Sequence, residues 1–271
     1  PPIPAWAGRW TRRARASAGT STTGPDAEGV TGTLLDENAS KELLASYGLA
    51  RPRHLVVGPD EVALAYTRFR AANTLGYPVV VKTHGGELAH KTVEGGVVLG
   101  VRNDRELMDA AARLRARFPG HGLLVEEQVT HAHEFLLGMV HDATFGPVVS
   151  FGTGGSLAEV FDDVAFRAVP VDRSTARHMV RSTRVGRAFA GDGGAGPDLP
   201  GVVDAIMAIS RLATDLGHLV RAVEINPLAW TGETYLALDA KVQILDSAFD
   251  EWVALVVPGG SSDGDTTGRI S

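Results

Sequence analysis

The chain contains no cysteine among its 271 residues. That absence excludes disulfides, thiolate zinc sites and a cysteine nucleophile together. Oxygen or histidine ligands are left for any metal, so the expected ion is hard, such as magnesium. Charged residues or glycines interrupt every hydrophobic stretch before the ~18 to 20 residues that a membrane helix needs. The expectation is therefore a soluble, cytoplasmic protein with no membrane partner. An excess of basic charge is also missing: 26 Lys and Arg stand against 32 Asp and Glu, a net charge of -6. Nucleic acid is argued against as a partner, since binding a phosphate backbone needs a basic surface that releases counterions. What the chain does have is 44% apolar content, enough for a sizeable core divided between two lobes that share a cleft.

The two ends differ from the middle. Residues 1–33 read as a disordered or linker segment: no acid occurs from Pro1 to Pro25, four arginines cluster near Trp6 and Trp10, and apolar periodicity is absent. Residues 257–271 read as a disordered tail, polar and rich in glycine. Between Leu34 and Val256 helical and strand periods alternate, the pattern of an α+β fold. Helices are expected over 35–47, 58–76, 103–118, 174–183 and 199–216, with Asn103 and Glu106 spaced as a capping box. Short β-branched runs predict strands at 54–57, 78–82, 96–101 and 123–129, then a hairpin of 134–140 with 148–151. Further strands are expected near 157–160, 166–169, 222–225 and 235–238, the last two flanking Asn226 and Pro227. The first lobe is placed at 34–126 and the second, an antiparallel sheet with helices on one side, at 127–256.

Three groups of residues carry possible chemistry. Lys82 emerges from an apolar strand, and its ammonium must either leave a dry environment or find an anion. A phosphate would supply one, with the glycine-containing hairpin behind it offering backbone N–H groups; taken alone, Lys82 reads first as a lysine snorkelling at a strand end beside an ordinary turn. The order Gly-Lys-Ser/Thr of a Walker loop is absent. The strand from Leu123 through Glu126, Gln128 and Val129 crosses between lobes, where its backbone suits an adenine edge and a carboxylate such as Glu126 or Glu134 suits ribose hydroxyls; a solvated Glu-Glu pair is the plainer alternative. Glu224 and Asn226 share a strand face by period two, and a neighbouring antiparallel strand can bring Asp239 beside them. Two carboxylates and an amide oxygen would make a magnesium site, since like charges side by side otherwise repel.

In this order the pieces resemble the ATP-grasp domain of ADP-forming acetyl-CoA and acyl-CoA synthetases, and more distantly the β subunit of succinyl-CoA synthetase. Lys82, the run His90-Lys91-Thr92 and the run Gly95-Gly96-Val97 match the family's strand lysine and hairpin, with threonine in place of the usual serine. Glu126 and Glu134 match its hinge and ribose-contacting acids, and Glu224, Asn226 and Asp239 its metal pattern. The resemblance implies the ATP-grasp fold, ATP/ADP with Mg2+ as ligands, and phosphoryl transfer between nucleotide and a phosphohistidine. His90 would be a second phosphorylated histidine and Glu224 would orient the incoming one. It also implies a CoA-binding partner subunit or domain carrying the primary phosphohistidine, hence a hetero-oligomer acting on a small carboxylic acid or acyl-CoA, because no CoA-binding glycine-rich segment is found in the chain. Two other readings stay open: an ATP-grasp carboxylate-amine or carboxylate-thiol ligase working through an acyl phosphate, and a nucleotide-sensing module without turnover.

Overall fold

The computed structural model describes residues 32–59, 75–85, 94–142, 144–155, 163–190 and 197–256. Strand β1 (Gly32–Leu34) leads into helix α1 (Glu37–Ser46), whose start is fixed by Asp36 Oδ1 accepting from Ala39 N at 2.9 Å. There follow β2 (His54–Val57), β3 (Val79–His84), β4 (Val97–Val101), α2 (Asp104–Arg117) and β5 (Gly122–Glu127). Strands β2 to β5 form a four-stranded antiparallel sheet in the order β2-β5-β3-β4. The stripe Leu107, Ala111 and Leu114 of α2 packs with Val79, Val81, Leu123 and Val125 as the small core. Asn103 Oδ1 accepts from Glu106 N, while Glu106 reaches back to Arg102 N, so the expected capping box forms with its return bond moved by one donor.

The larger unit comprises β6 (His133–Asp142), β7 (Gly146–Thr153), β8 (Val164–Ala168), α3 (Arg173–Ser182), α4 (Leu199–Leu216), β9 (Val220–Trp230), β10 (Tyr235–Ala237), β11 (Ala240–Leu245) and α5 (Phe249–Val256). Its seven-stranded antiparallel sheet runs β1-β11-β9-β6-β7-β8, with β10 also on β9. Period-two alternation turns Phe135, Leu137 and Met139 of β6, and Val149 and Phe151 of β7, into one core with α1, α3 and α4. The helices therefore cover one face, and Glu134 and Leu136 turn to the other. Among the described residues no helix is long and apolar enough to cross a membrane.

Three sequence expectations change. Gly32 and Thr33, read as linker, pair with Leu245 and Ile244 in β1. Helix α1, placed with the first lobe by the boundary 34–126, joins the large core instead through Ala39, Leu43 and Leu44. The reason is local: β1 is already tied to β11, and Leu35 N donates to Val242 O, so the helix that follows must lie over that strand. Thirdly, β9 does not stop at Asn226 and Pro227 but passes through them. Its partner changes there from β11 to β10, and pairing with β6 shifts between Phe135 and Leu137, so the proline sits at an irregularity where its missing N–H breaks no ladder. The helix expected at 58–76 falls largely outside the described residues, as do the strand near 157–160 and the tail 257–271.

Candidate functional site

On β3, Val79 and Val81 face the small core, which leaves Lys82 pointing toward α1 and the large sheet. Its Nζ lies 2.5 Å from Glu37 Oε1, 2.8 Å from Glu126 Oε2 and 2.8 Å from the carbonyl of Leu238. Three acceptors use all three ammonium protons. The anion that the sequence argument sought in phosphate is thus already present as two carboxylates of the protein. Lys41, fully buried one turn after Glu37, bonds the same Glu37 oxygen at 2.7 Å, both Glu126 oxygens at 2.8 Å and Leu238 O at 2.7 Å. Arg51 adds a further cation 3.7 Å from Glu126.

This cluster joins α1, both sheets and the turn at Leu238. Burial works against the Lys82 charge, but Glu37, Glu126 and Asp239 outweigh it and hold its pKa above the ordinary lysine value. For Lys41 burial and the neighbouring Lys82 prevail, and its pKa is lowered. Burial would raise Glu126, yet the two lysines keep it below the usual carboxylate range. Glu126, offered by the sequence to a ribose, is therefore committed as a counter-ion.

The outward face of the large sheet meets this cluster at Leu238 and Asp239. Asn226 N donates to Asp239 O at 3.2 Å, and Lys241 pairs with Glu224 in register, so Glu224, Asn226 and Asp239 share one face. Lys241 Nζ stands 3.9 Å from Glu224, and Asp239 acts on Lys82, so both carboxylates are offset by lysines and do not depend on a metal to relieve their repulsion. Among the described residues no three His, Cys, Asp or Glu side chains cluster as a metal centre. Two carboxylates with one amide oxygen nevertheless fit a hard cation that takes its remaining ligands from phosphates and water. The Asn226 amide oxygen already accepts from Gly155 N at 2.7 Å, and has a second lone pair to give.

Gly155 has φ of 70°, and a Cβ built there would lie 1.8 Å from Glu134 Oε2. Glu134, Gly155, Asn226, Asp239 and Lys82 consequently form a continuous path between the sheets. At the connector, Gln128 N donates to Pro78 O and its side chain accepts from Gly100 N, which spends both on the small sheet. Val129 O lies 3.2 Å from His131 Nδ1. Gly95 is exposed at a turn, while Gly96 is buried and accepts from Thr83 N. His90 and Lys91 lie outside the described residues. Sequence reasoning missed Glu37, Lys41 and His131. The signal for the first two was present: Glu37, Lys41 and Leu44 fall at helical spacing on one stripe, so two charges on an apolar face called for partners.

Residues 27–244 match the family model described as ATP-grasp domain. The chain is 29% identical over 216 residues to the acetate-CoA ligase [ADP-forming] I subunit beta of Pyrococcus furiosus, covering 77% of this chain and 90% of that one. It is 30% identical over 203 residues to the 4-hydroxybutyrate-CoA ligase [ADP-forming] of Nitrosopumilus maritimus, where 72% of this chain covers only 28% of the relative. The structure of dinucleotide forming acetyl-coenzyme A synthetase 1 from Ca. Korarchaeum cryptofilum, in complex with coenzyme A, Ca-AMPCP and HgCl+, superposes with a TM-score of 0.71 at 25% identity, over 88% of this chain and 99% of that one.

Proposed function

The chain belongs to the ATP-grasp domain family, and from that premise we propose that it is the nucleotide-binding unit of an ADP-forming acyl-CoA ligase, moving a phosphoryl group between ATP or ADP and a histidine. The observation that carries the reading is the meeting of Lys82 from the small sheet with the Leu238–Asp239 turn of the large one, where the Asp239 carbonyl in turn accepts from Asn226 N. Phosphoryl transfer asks chiefly for positioning and charge neutralisation, which a buried, firmly charged amine opposite a row of oxygen donors supplies.

In this reading Lys82 gives up one of its protein bonds to a phosphate oxygen, and Lys41 remains to balance Glu37 and Glu126. Lys91 and the backbone at Gly95 and Gly96 bind the phosphates. Gln128 and Val129 border the adenine, and Glu134 accepts from ribose hydroxyls. Glu224, Asn226 and Asp239 would hold magnesium, which when bound offsets phosphate charge. A nitrogen of His90 takes the terminal phosphoryl group as the bond to the ADP oxygen breaks, and the reverse step returns it; Glu224 orients the phosphohistidine brought by a partner. Coenzyme A and the acyl group belong to that partner subunit or domain. Support comes from the relative named a beta subunit and from the longer ligase of which this chain spans about a quarter.

The test is calorimetric titration of the chain with ATP and ADP, with and without magnesium, followed by transfer of labelled phosphoryl from ATP to protein in the presence of a CoA-binding partner. Binding that requires magnesium, and labelling abolished by His90→Ala, are expected. Failure of both nucleotides to bind with the cation present sinks the reading.

A further inference from the structure

We infer that His131 is a positioning residue for Glu134 and through it sets the preference for a nucleotide bearing ribose hydroxyls. This rests on the ribose role given to Glu134 above. The geometry is specific. His131 Nε2 lies 2.7 Å from Glu134 Oε1, and its Nδ1 lies 3.2 Å from Val129 O. Glu134 Oε1 can only accept, so the imidazole N–H sits on Nε2 and donates to it, which ties the carboxylate to the connector between the sheets that carries His131.

The second carboxylate oxygen is confined from the other side. Glu134 Oε2 lies over the Cα of Gly155, in space where a Cβ would come to 1.8 Å. That glycine's N–H is in turn held by Asn226, so the orientation of Glu134 is registered to the proposed cation ligands. Both side chains stay partly open, His131 at 25% and Glu134 at 37% of their side-chain surface, so a ligand can reach a carboxylate that is not free to swing. A glutamate free to turn about its χ angles would bind a diol weakly, because ordering it costs entropy; the histidine meets that cost before the ligand arrives.

The experiment measures dissociation constants of the full chain, with magnesium, for ATP, 2′-deoxy-ATP and 3′-deoxy-ATP. The native chain is expected to favour ATP over at least one deoxy analogue by about tenfold, the worth of one hydrogen bond to a charged group. His131→Ala should weaken ATP by a similar factor and leave the analogue nearly unchanged, so that the ratio collapses, as it should in Glu134→Ala. A general loss of structure would instead weaken all three nucleotides together, and that result overturns the inference. If Glu134→Ala loses the preference and His131→Ala keeps it, positioning by His131 is wrong while the ribose role stands. If Glu134→Ala keeps the preference, the ribose role itself is wrong and the inference goes with it.

Discussion

Lys82 Nζ and Glu126 Oε2 stand 2.8 Å apart with 8% and 2% of each residue exposed, and the same carboxylate is shared with the fully buried Lys41. Two lysines and two glutamates thus balance one another where α1, the small sheet and the turn at Leu238 converge. A buried network of this kind is costly to assemble and more costly to break, since removing one member strands its partner in a dry environment.

Lys41→Met tests that balance. It leaves Glu37 and Glu126 with Lys82 and the more distant Arg51, and is expected to destabilise the chain by about 3 to 5 kcal/mol in urea unfolding. Adding Glu126→Gln removes the stranded charge, so the double variant should lose less than the sum of the two single losses. Strict additivity would show that the two side chains do not act as a unit.

Acid should act through the same carboxylate. The folded pKa of Glu126 lies below its ordinary value of 4.5, so its contribution to stability is present above that value and is lost as pH falls through the folded pKa. Lys82 has the opposite sense: its folded pKa is raised, so its contribution is complete below 10.5 and is lost as pH rises through the folded value. The lowered pKa of Lys41 runs against Lys82, its burial cost easing as pH rises toward 10.5. Thermal melts taken as pH falls below about 4.5 should therefore drop more steeply for the native chain than for Glu126→Gln, which has no carboxylate to titrate there. Parallel curves for the two proteins would refute the assignment.

Local signals carried most of the fold. Residues 54–57 and 199–216 form the strand and the helix that their periodicities predict, because a β-branched run and a long apolar stripe need little tertiary help. Strand β11 carries the period-two signal, with Ala240, Val242 and Ile244 alternating with Lys241 and Gln243, yet the expected strand ends with the apolar run 235–238, so Asp239 reads as part of a strand when it lies in the turn before one. At the site, period two along β9 correctly puts Glu224 and Asn226 on one side, and antiparallel register brings Asp239 to them. The partners of Lys82 were out of reach, since Glu37 is 45 residues away in sequence and its approach depends on α1 packing over β11.

Asp239 offers the sharpest separation between a cation ligand and a mere neighbour of Lys82. Its carboxylate carries a negative charge toward a region proposed to receive polyphosphate, which is unfavourable unless a cation stands between them. Asp239→Asn keeps the shape and the backbone bond to Asn226 but removes that charge. With magnesium present, ATP affinity should fall about tenfold, or about 1.4 kcal/mol. Without magnesium the same substitution should leave ATP affinity unchanged or improve it, because the repulsion between carboxylate and phosphate is gone. Calorimetry in the two conditions reads the crossing directly: a loss of equal size with and without the cation would mean that Asp239 acts only by holding Lys82 charged, and the metal assignment would then have to leave this residue.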